Sequence, residues 1–497
     1  MMKAMASLFL TLSLAVSAIA QQRSSFAWGG DAEGGAPYQM PDPRDPGKIV
    51  GFEVDIADAL GKRLGMEPRF VQQQWDGLVP GLQRGEYDAV IAGLEITTER
   101  LEKIAFSSPY YYSTLSMTIR LDETRIRASE DLPTRTVGTL KASLAERYLQ
   151  ELGVTEIKTY DNQAHPYIDL VLGRLDAVVM DTPIALYYAY GQQFHNVELP
   201  STRFPIAIGI RKDDTGLLAR VNDALGQMKA DGTLRNIYQH WGLYNSSTAD
   251  YFGDRNPVSN ANADRYREYL AAVQTERTFG EQLRQYLSFM PLLLRGALVT
   301  LEISIAAMAV AILFGLMLAL VRVFGNRWVA WPAVAFIEVI RGTPLLIQLF
   351  IIFYGLPTLG IRLTPLWAAV LGLGLNYAAY EAENYRAGIQ SVPRGQLDAA
   401  LALGLSRAQT IRKIVLPQAV RLVIPPVTND FIALLKDSSL VSVITMVELT
   451  KVYGQLASTY YDYIGIGVLV AGIYFLMGLP IARLSRYVEG RLSYMKV

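Results

Sequence analysis

From Met290 onward the chain carries apolar runs longer than the roughly 18 residues needed to cross a bilayer. Five candidate spans follow: Ala297 to Val321, Val329 to Leu356, Leu366 to Ile389, Ile414 to Leu435 with an interruption at Pro425 and Pro426, and Ile464 to Ala482. The stretch from Gln21 to about Thr275 is different, with charges at the density of a water-soluble protein. One chain of 497 residues therefore joins a soluble half to a helical membrane half. Lysine plus arginine balance aspartate plus glutamate at 46 each, which gives no bulk attraction to nucleic acid. The absence of cysteine removes disulfides, thiolate catalysis and cysteine-ligated metal. His165, His195 and His240 show no ligand spacing, so no catalytic or metal constellation is expected.

Residues 1–20 read as a secretory signal, with Lys3, an apolar core over Leu8 to Val16, and an Ala18-Ile19-Ala20 exit. An exported first half sends the first span into the cytoplasm. Arg322, Arg327 and Arg341 then lie inside, as do Arg386, Arg394, Arg407, Arg412 and Lys413 and the basic tail. Only Arg362, Lys436 and Lys451 fall near spans on the other face, which agrees with the positive-inside rule. The expected place is the inner (cytoplasmic) membrane, crossed several times, with the soluble half on the periplasmic or extracellular face.

Within that half, Ile49 to Val54 reads as a strand followed by a helix with Ile56, Leu60 and Leu64 on one face. A helix ending near Gly85 feeds a strand Ala89 to Ala92, and the unit recurs with strand Ala177 to Met180. Such alternation predicts α/β sheets covered by helices. Ligands bind beyond the carboxyl ends of strands in sheets of this kind, which directs attention to Gly93–Arg100 and to Asp181-Thr182. Thr97 or Thr98 starts a short helix with Arg100 in its first turn. A cation there faces the positive end of the helix dipole and is better placed if it receives an anion. An arginine fork for a carboxylate with an aspartate for an ammonium is the minimal pair that recognises a free α-amino acid; on spacing alone, solvated loop charges are the simpler reading of both.

The stretches "KIVGFEVDIADAL", "WDGLVPGLQRGEYDAVIAGLEITTERLEKIAFSSPYY", "VGTLKASLAERYL", "GRLDAVVMD" and "VNDALGQMKADGTLRNIYQHWG" resemble the periplasmic polar-amino-acid-binding proteins of the histidine, arginine and glutamine type. The resemblance implies a two-lobed α/β domain of the type II binding-protein class at 26–245, with lobe one at 26–118 and 206–245 and lobe two at 119–205. It implies that Arg100 holds the α-carboxylate and Asp181 the α-ammonium, that Trp75 walls the side-chain pocket, and that the Gly93 backbone makes a polar contact. Tyr38, Thr98, Leu140 and Ser143 complete the expected site. Glu95 stands where many relatives carry a small hydroxyl residue and Leu144 where they often carry threonine. Glu95 has two readings: it pairs with a cationic ligand side chain, or it bonds backbone and hinge groups.

Residues 246–285 read as a polar linker that keeps the binding domain near the membrane half. In that half, "DAALALGLSRAQTIRKIVLP" (398–417) has a helix over Gln396 to Leu403, a left-handed turn at Gly404, and a capping-box pair Ser406 and Gln409. Its D-A-A-x₃-G-x₉-I-x-L-P spacing is similar to the EAA loop of binding-protein-dependent ABC permeases, with aspartate in place of the usual glutamate. The flanking "EVIRGTPLLIQLFIIFYGLP" and "LNYAAYEAENYRAGIQSVPRGQ" resemble the polar-amino-acid permeases. This second resemblance implies an all-α permease of about five spans at 290–497, with a coupling loop at 393–417 that docks an ATPase subunit through Asp398, Ala399, Ala400 and Gly404. No phosphate-binding loop occurs in the chain, so ATP and Mg belong to a separate subunit and the chain itself holds no cofactor. In that family five spans fall short of a complete pathway, so the resemblance also implies pairing of two membrane halves, most simply as a homodimer. Asn376, Glu381, Glu383 and Asp430 are polar at membrane depth, and Asn376 and Glu383 are the pathway candidates. The expected function is ATP-driven amino-acid import by a non-enzymatic chain that is receptor and permease at once, with free amino acid, lipid and an ATPase as partners. The alternative is an amino-acid-gated ion channel, which would not need an EAA-type loop.

Overall fold

The computed structural model describes residues 25–33, 35–189, 194–254, 263–274, 278–460 and 462–493. The signal segment 1–20 lies outside the described residues. The chain divides into two compact units, residues 1–40 with 49–272 and residues 41–48 with 273–497.

The strands are β1 Ser25–Gly30, β2 Met40–Asp42, β3 Asp45–Val50, β4 Glu67–Gln72, β5 Ala89–Val90, β6 Ala105–Phe106, β7 Tyr111–Arg120, β8 Thr136–Leu140, β9 Glu156–Tyr160, β10 Ala177–Asp181, β11 Phe194–Ile206 and β12 Gly209–Ile210, and all but β2 and β3 belong wholly to the first unit. They build one sheet in the order β4-β1-β5-β12-β6, a second in the order β11-β7-β10-β8-β9, and a separate two-stranded sheet of β2 and β3. In the first sheet β1 runs parallel to β4 and β5, and in the second β8 runs parallel to β9 and β10. Parallel neighbours need a crossover, and the amphipathic helices between strands supply it. Phe52–Leu64 is one such helix: Phe52, Ile56 and Leu60 recur four apart and are fully buried, and Gly65 ends the helix in a left-handed turn.

The chain leaves the first sheet after β6 and returns at β12, so β7, placed in lobe one through residue 118 by sequence reading, pairs in the second sheet with β10 and β11. Another difference lies before the first helix. The expected strand Ile49 to Val54 is instead β3 ending at Val50, and the helix has already begun at Phe52. Burial of Phe52 on the helix face explains the earlier start, because a strand through Val54 would move that ring out of register with Ile56.

The described residues of the expected linker are largely helical. Ser246–Phe252 and Asp264–Gln274 form helices, and the first unit holds them: the Tyr251 hydroxyl donates to the Pro109 carbonyl at 2.9 Å, and the Arg265 guanidinium bonds both Asp55 carboxylate oxygens at 2.5 and 2.6 Å.

The second unit is helical. Its first helix, Phe279–Phe324, has 46 residues and starts 18 residues before the expected span at Ala297, behind a capping box of Thr278 and Glu281. It packs against Pro365–Gln390 through small residues: a Cβ on Gly374 would stand 2.8 Å from Val310, and one on Gly315 would stand 2.7 Å from Glu381 Cβ. Ile303, Ala307, Phe353, Leu373 and Leu434 form one core, and Phe289, Leu293, Leu449, Leu456 and Ile466 a second. Among the described residues, two helices are long and apolar enough to cross a membrane, Phe279–Phe324 and Tyr463–Tyr487, or three spans if a bent pair counts as one.

That pair is the expected second span, Val329 to Leu356. It is broken into Arg327–Arg341 and Leu345–Leu359, bent by 109°. Gly342-Thr343-Pro344 stands at the bend, where proline removes a donor and disfavours helix at the residue before it. The expected interruption at Pro425 and Pro426 is absent, since Leu416–Asp437 runs helical through both. Neighbouring helices tolerate the missing donors there.

Candidate functional site

The first unit holds a cleft lined from one side by Tyr38, Trp75, Gly93 and Glu95 and from the other by Leu140, Ser143 and Asp181. Tyr38 lies in the turn before β2, and the others follow or end strands. Asp181 is the last residue of β10, and Gly93 to Arg100 follows β5. Leu140 ends β8, and Ser143 caps the helix Leu144–Glu151 by accepting from the Glu146 N–H.

Arg100 reaches this cleft through Glu95. Its Nη1 donates to the Glu95 carboxylate and, at 3.0 Å, to the Glu95 carbonyl. Its guanidinium lies 5.2 Å from the centre of the Trp75 ring, a cation–π contact that holds the fork in place. The Trp75 backbone is fixed in turn, its main-chain N–H donating to Asp31 Oδ2 at 3.1 Å. On the far side, the Tyr38 hydroxyl donates to Asp181 Oδ2 at 3.2 Å. Burial pushes the Asp181 carboxyl well above the usual carboxylate range and the Glu95 charge adds to this, while the Tyr38 hydrogen bond and the Arg100 charge act against it. An ammonium brought to Asp181 would reverse the shift.

Gly93 has φ +63°, and a Cβ there would lie 3.1 Å from the Tyr38 ring, so glycine is required for both backbone and ring. Its N–H donates to Glu53 Oε1 at 2.7 Å, and the Tyr110 hydroxyl donates to the same oxygen. Burial pushes Glu53 up to about 8. Sequence reading missed Glu53 and Tyr110. A signal existed, because Glu53 precedes Ile56 and Leu60 by three and seven residues and so shares their buried face. Thr98 is not brought into the cleft: it is the exposed first residue of its helix, and the capping hydroxyl is that of Thr97, which accepts from the Arg100 N–H. Among the described residues no group of histidine, aspartate and glutamate is arranged to hold a metal ion.

The second unit carries the other expected residues. Helix Arg394–Ala402 ends in a Schellman-type turn, with the Leu405 N–H donating to the Ala400 carbonyl at 3.1 Å and Gly404 at φ +83°. A capping box of Ser406 and Gln409 starts the next helix. Asp398, Ala399 and Gly404 are exposed, as is Leu403 at 83%, whereas Ala400 is turned inward and buried. Asn376 is buried and donates to Gln348 Oε1 at 3.0 Å. Gln348 Nε2 donates to the Ile340 carbonyl at 2.8 Å and the Thr343 carbonyl at 3.2 Å, the groups left free by the break at Pro344. Glu383 receives Arg386 through Nε and Nη2 at 2.9 and 2.7 Å and also bonds Arg322.

Comparison with known proteins bears on both units. Residues 30–244 match the bacterial extracellular solute-binding proteins, family 3, and residues 311–494 match the binding-protein-dependent transport system inner membrane component. A probable amino-acid ABC transporter permease protein, y4tG of Sinorhizobium fredii, is 38% identical over 206 residues, covering 41% of this chain and 89% of that protein. The glutamine transport system permease protein GlnP of Escherichia coli strain K12 is 38% identical over 208 residues, covering 41% and 94%. Among solved structures, an ancestral arginine-binding protein bound to glutamine is 34% identical over 44% of this chain and 99% of that one, with a TM-score of 0.42.

A solute-binding domain followed by an ABC-type membrane component defines a transport protein rather than an enzyme. The chain belongs to the amino-acid ABC transporter permease family, with a solute-binding domain fused to the permease, and it serves amino-acid import at the inner membrane. The ion-channel alternative finds no support in these matches.

Proposed function

We propose that the fused domain is the transporter's own receptor and that it captures a free α-amino acid between Arg100 and Asp181. The observation that carries this reading is the cleft itself: the carboxylate that Arg100 holds and the carboxylate of Asp181 line one cavity, although 81 residues separate Arg100 from Asp181 in sequence. A guanidinium offers a ligand carboxylate paired donors, and a buried aspartate with a raised pKa is stabilised by an ammonium. Trp75 and Tyr38 wall the ligand on one side, Leu140 and Ser143 on the other, and Gly93 lets the backbone approach. Residues 26–245 are the receptor and 290–497 the permease in this reading.

The receptor faces the periplasm or cell exterior, and the turn at 393–417 faces the cytoplasm. There Asp398, Ala399 and Gly404 present a small-residue surface to an ABC ATPase, with the inward Ala400 packing beneath them. ATP and Mg are held by that partner, and two copies of the membrane unit complete the pathway as a homodimer. For Asn376 and Glu383, the bonds to Gln348 and to Arg322 and Arg386 favour positioning of the pathway's helices over contact with the passing ligand.

Titration calorimetry on the full chain tests the receptor reading. Arg100→Ala is expected to weaken amino-acid binding by about 100-fold, because charge-assisted bonds in a dry cleft are lost. Asp181→Asn is expected to weaken it by about tenfold or more by removing the ammonium's counter-charge. Unchanged affinity in both variants would reject the pair.

A further inference from the structure

We propose that Glu95 sets the charge of the ligand, and that the cleft selects an amino acid with a positively charged side chain. This deepens the receptor reading and rests on it.

Glu95 is pinned by its backbone. It bridges to Ile206, with the Ile96 N–H donating to the Pro205 carbonyl at 3.3 Å and the Ala207 N–H to the Leu94 carbonyl at 3.1 Å. Only its side-chain torsions are free, so its carboxylate stays in the cleft, where the side chain is 2% exposed. One oxygen takes Arg100 Nη1, and the other accepts from the Leu144 N–H at 3.3 Å. Leu144 opens the helix Leu144–Glu151, and the turn before it is forced by Ala142 at φ +56°, a conformation rare for a residue with a Cβ. A guanidinium arm and a helix-opening N–H are the donors that an incoming α-carboxylate would seek. Glu95 already holds both.

An amino acid therefore competes with Glu95 for its own binding donors. Both terminal nitrogens of Arg100 are already engaged: Nη1 bonds Glu95, and Nη2 lies 3.4 Å from the Ala142 carbonyl. A second carboxylate at this guanidinium leaves one negative charge uncompensated, and the nearby Asp181 is a further acid, raised by burial first and then by the Glu95 charge. In so dry a place Glu95 can release its donors only to another cation. Beyond the α-ammonium that Asp181 takes, glutamine brings none, and glutamate adds a fourth carboxylate to Glu95, Asp181 and its own α-carboxylate. A dibasic amino acid brings its carboxylate for Arg100, its ammonium for Asp181 and its side-chain cation for Glu95, and the charges of ligand and cleft then sum to zero. If Glu95 were only a clamp between Arg100 and Leu144, removing its charge would move the affinities for all amino acids together. A role in selection moves their ratio.

The test is titration calorimetry of the full-length protein in detergent with arginine, lysine, glutamine and glutamate. Arginine and lysine are expected to bind about 100-fold tighter than glutamine, since an unmatched buried carboxylate is heavily penalised. Glu95→Gln is expected to cut the arginine-to-glutamine affinity ratio by about tenfold or more, and Glu95→Asp, which keeps the charge, to preserve the cationic preference. Wild-type protein that binds glutamine or glutamate as tightly as arginine overturns the proposal without any variant. A ratio unchanged in Glu95→Gln overturns it as well, and in both cases the receptor reading survives because amino acids still bind. Wild-type protein that binds none of the four removes the receptor reading and this proposal together.

Discussion

In the binding unit the buried charges face one another across a cleft. Arg100 holds Glu95, Asp181 waits on the other side with the Tyr38 hydroxyl donating to it, and Glu53 supports Gly93 from behind. In the permease unit two groups of buried polar side chains turn toward the backbone instead. Gln348 and Asn376 mend the break at Pro344. Glu448 accepts from the Thr450 and Lys451 N–H groups at 2.8 and 2.9 Å at the start of the helix Leu449–Tyr460. The two habits follow from what surrounds them. A cleft open to exchange with solvent can keep charges in reserve for a ligand, whereas a helix in lipid must satisfy every freed carbonyl and N–H internally.

The contrast predicts where a polar residue can be removed without loss of binding. The larger effect is expected at Asn376→Leu, which strands Gln348 Oε1 in an apolar setting. It should lower stability by about 1–3 kcal/mol, read as an earlier melting transition in detergent, with amino-acid affinity unchanged. Altered ligand affinity in this variant would erase the distinction between repair and recognition.

A smaller effect, spread over pH, is expected from Glu53. Its folded value near 8 lies above the ordinary 4.5, so the folded protein keeps a proton that the unfolded chain gives up. The stability tied to that proton is complete below about 4.5 and is lost as the pH rises through 8, at up to about 1.4 kcal/mol per pH unit for one group. Asp181, also raised, contributes with the same sign. Melting of the full chain between pH 5 and 8 should therefore show stability falling, and Glu53→Gln should flatten the fall. An equal slope in the variant would mean that Glu53 is ionised in the folded protein.

Periodicity made much of the fold legible, but not its breaks. The helix with Ile56, Leu60 and Leu64, the turn at Gly404 and the capping box at Ser406 follow from local spacing and appear as read. The bend at Pro344 was hidden because Val329 to Leu356 is apolar throughout, and hydropathy does not register a single missing N–H. The helix through Pro425 and Pro426 was misread for the opposite reason, since local propensity yields there to packing by neighbouring helices. At the site, residues after strand ends were found by rule, and resemblance added Tyr38, Leu140 and Ser143. Glu53 escaped because an acid within a strand-to-helix stretch reads as surface, and the tie between Glu95 and Leu144 spans 49 residues that no local pattern connects.

The central claim is that a single chain supplies both capture and passage. It is tested most directly by ATP-dependent uptake of a labelled amino acid into vesicles that contain only this protein and an ABC ATPase, with no soluble binding protein added. Saturable uptake is expected from the wild type, and none from Gly404→Arg, whose ligand affinity should stay within about twofold because its exposed left-handed turn lies outside the binding unit. Uptake that appears only after a separate binding protein is supplied, or that persists in Gly404→Arg, would contradict the account.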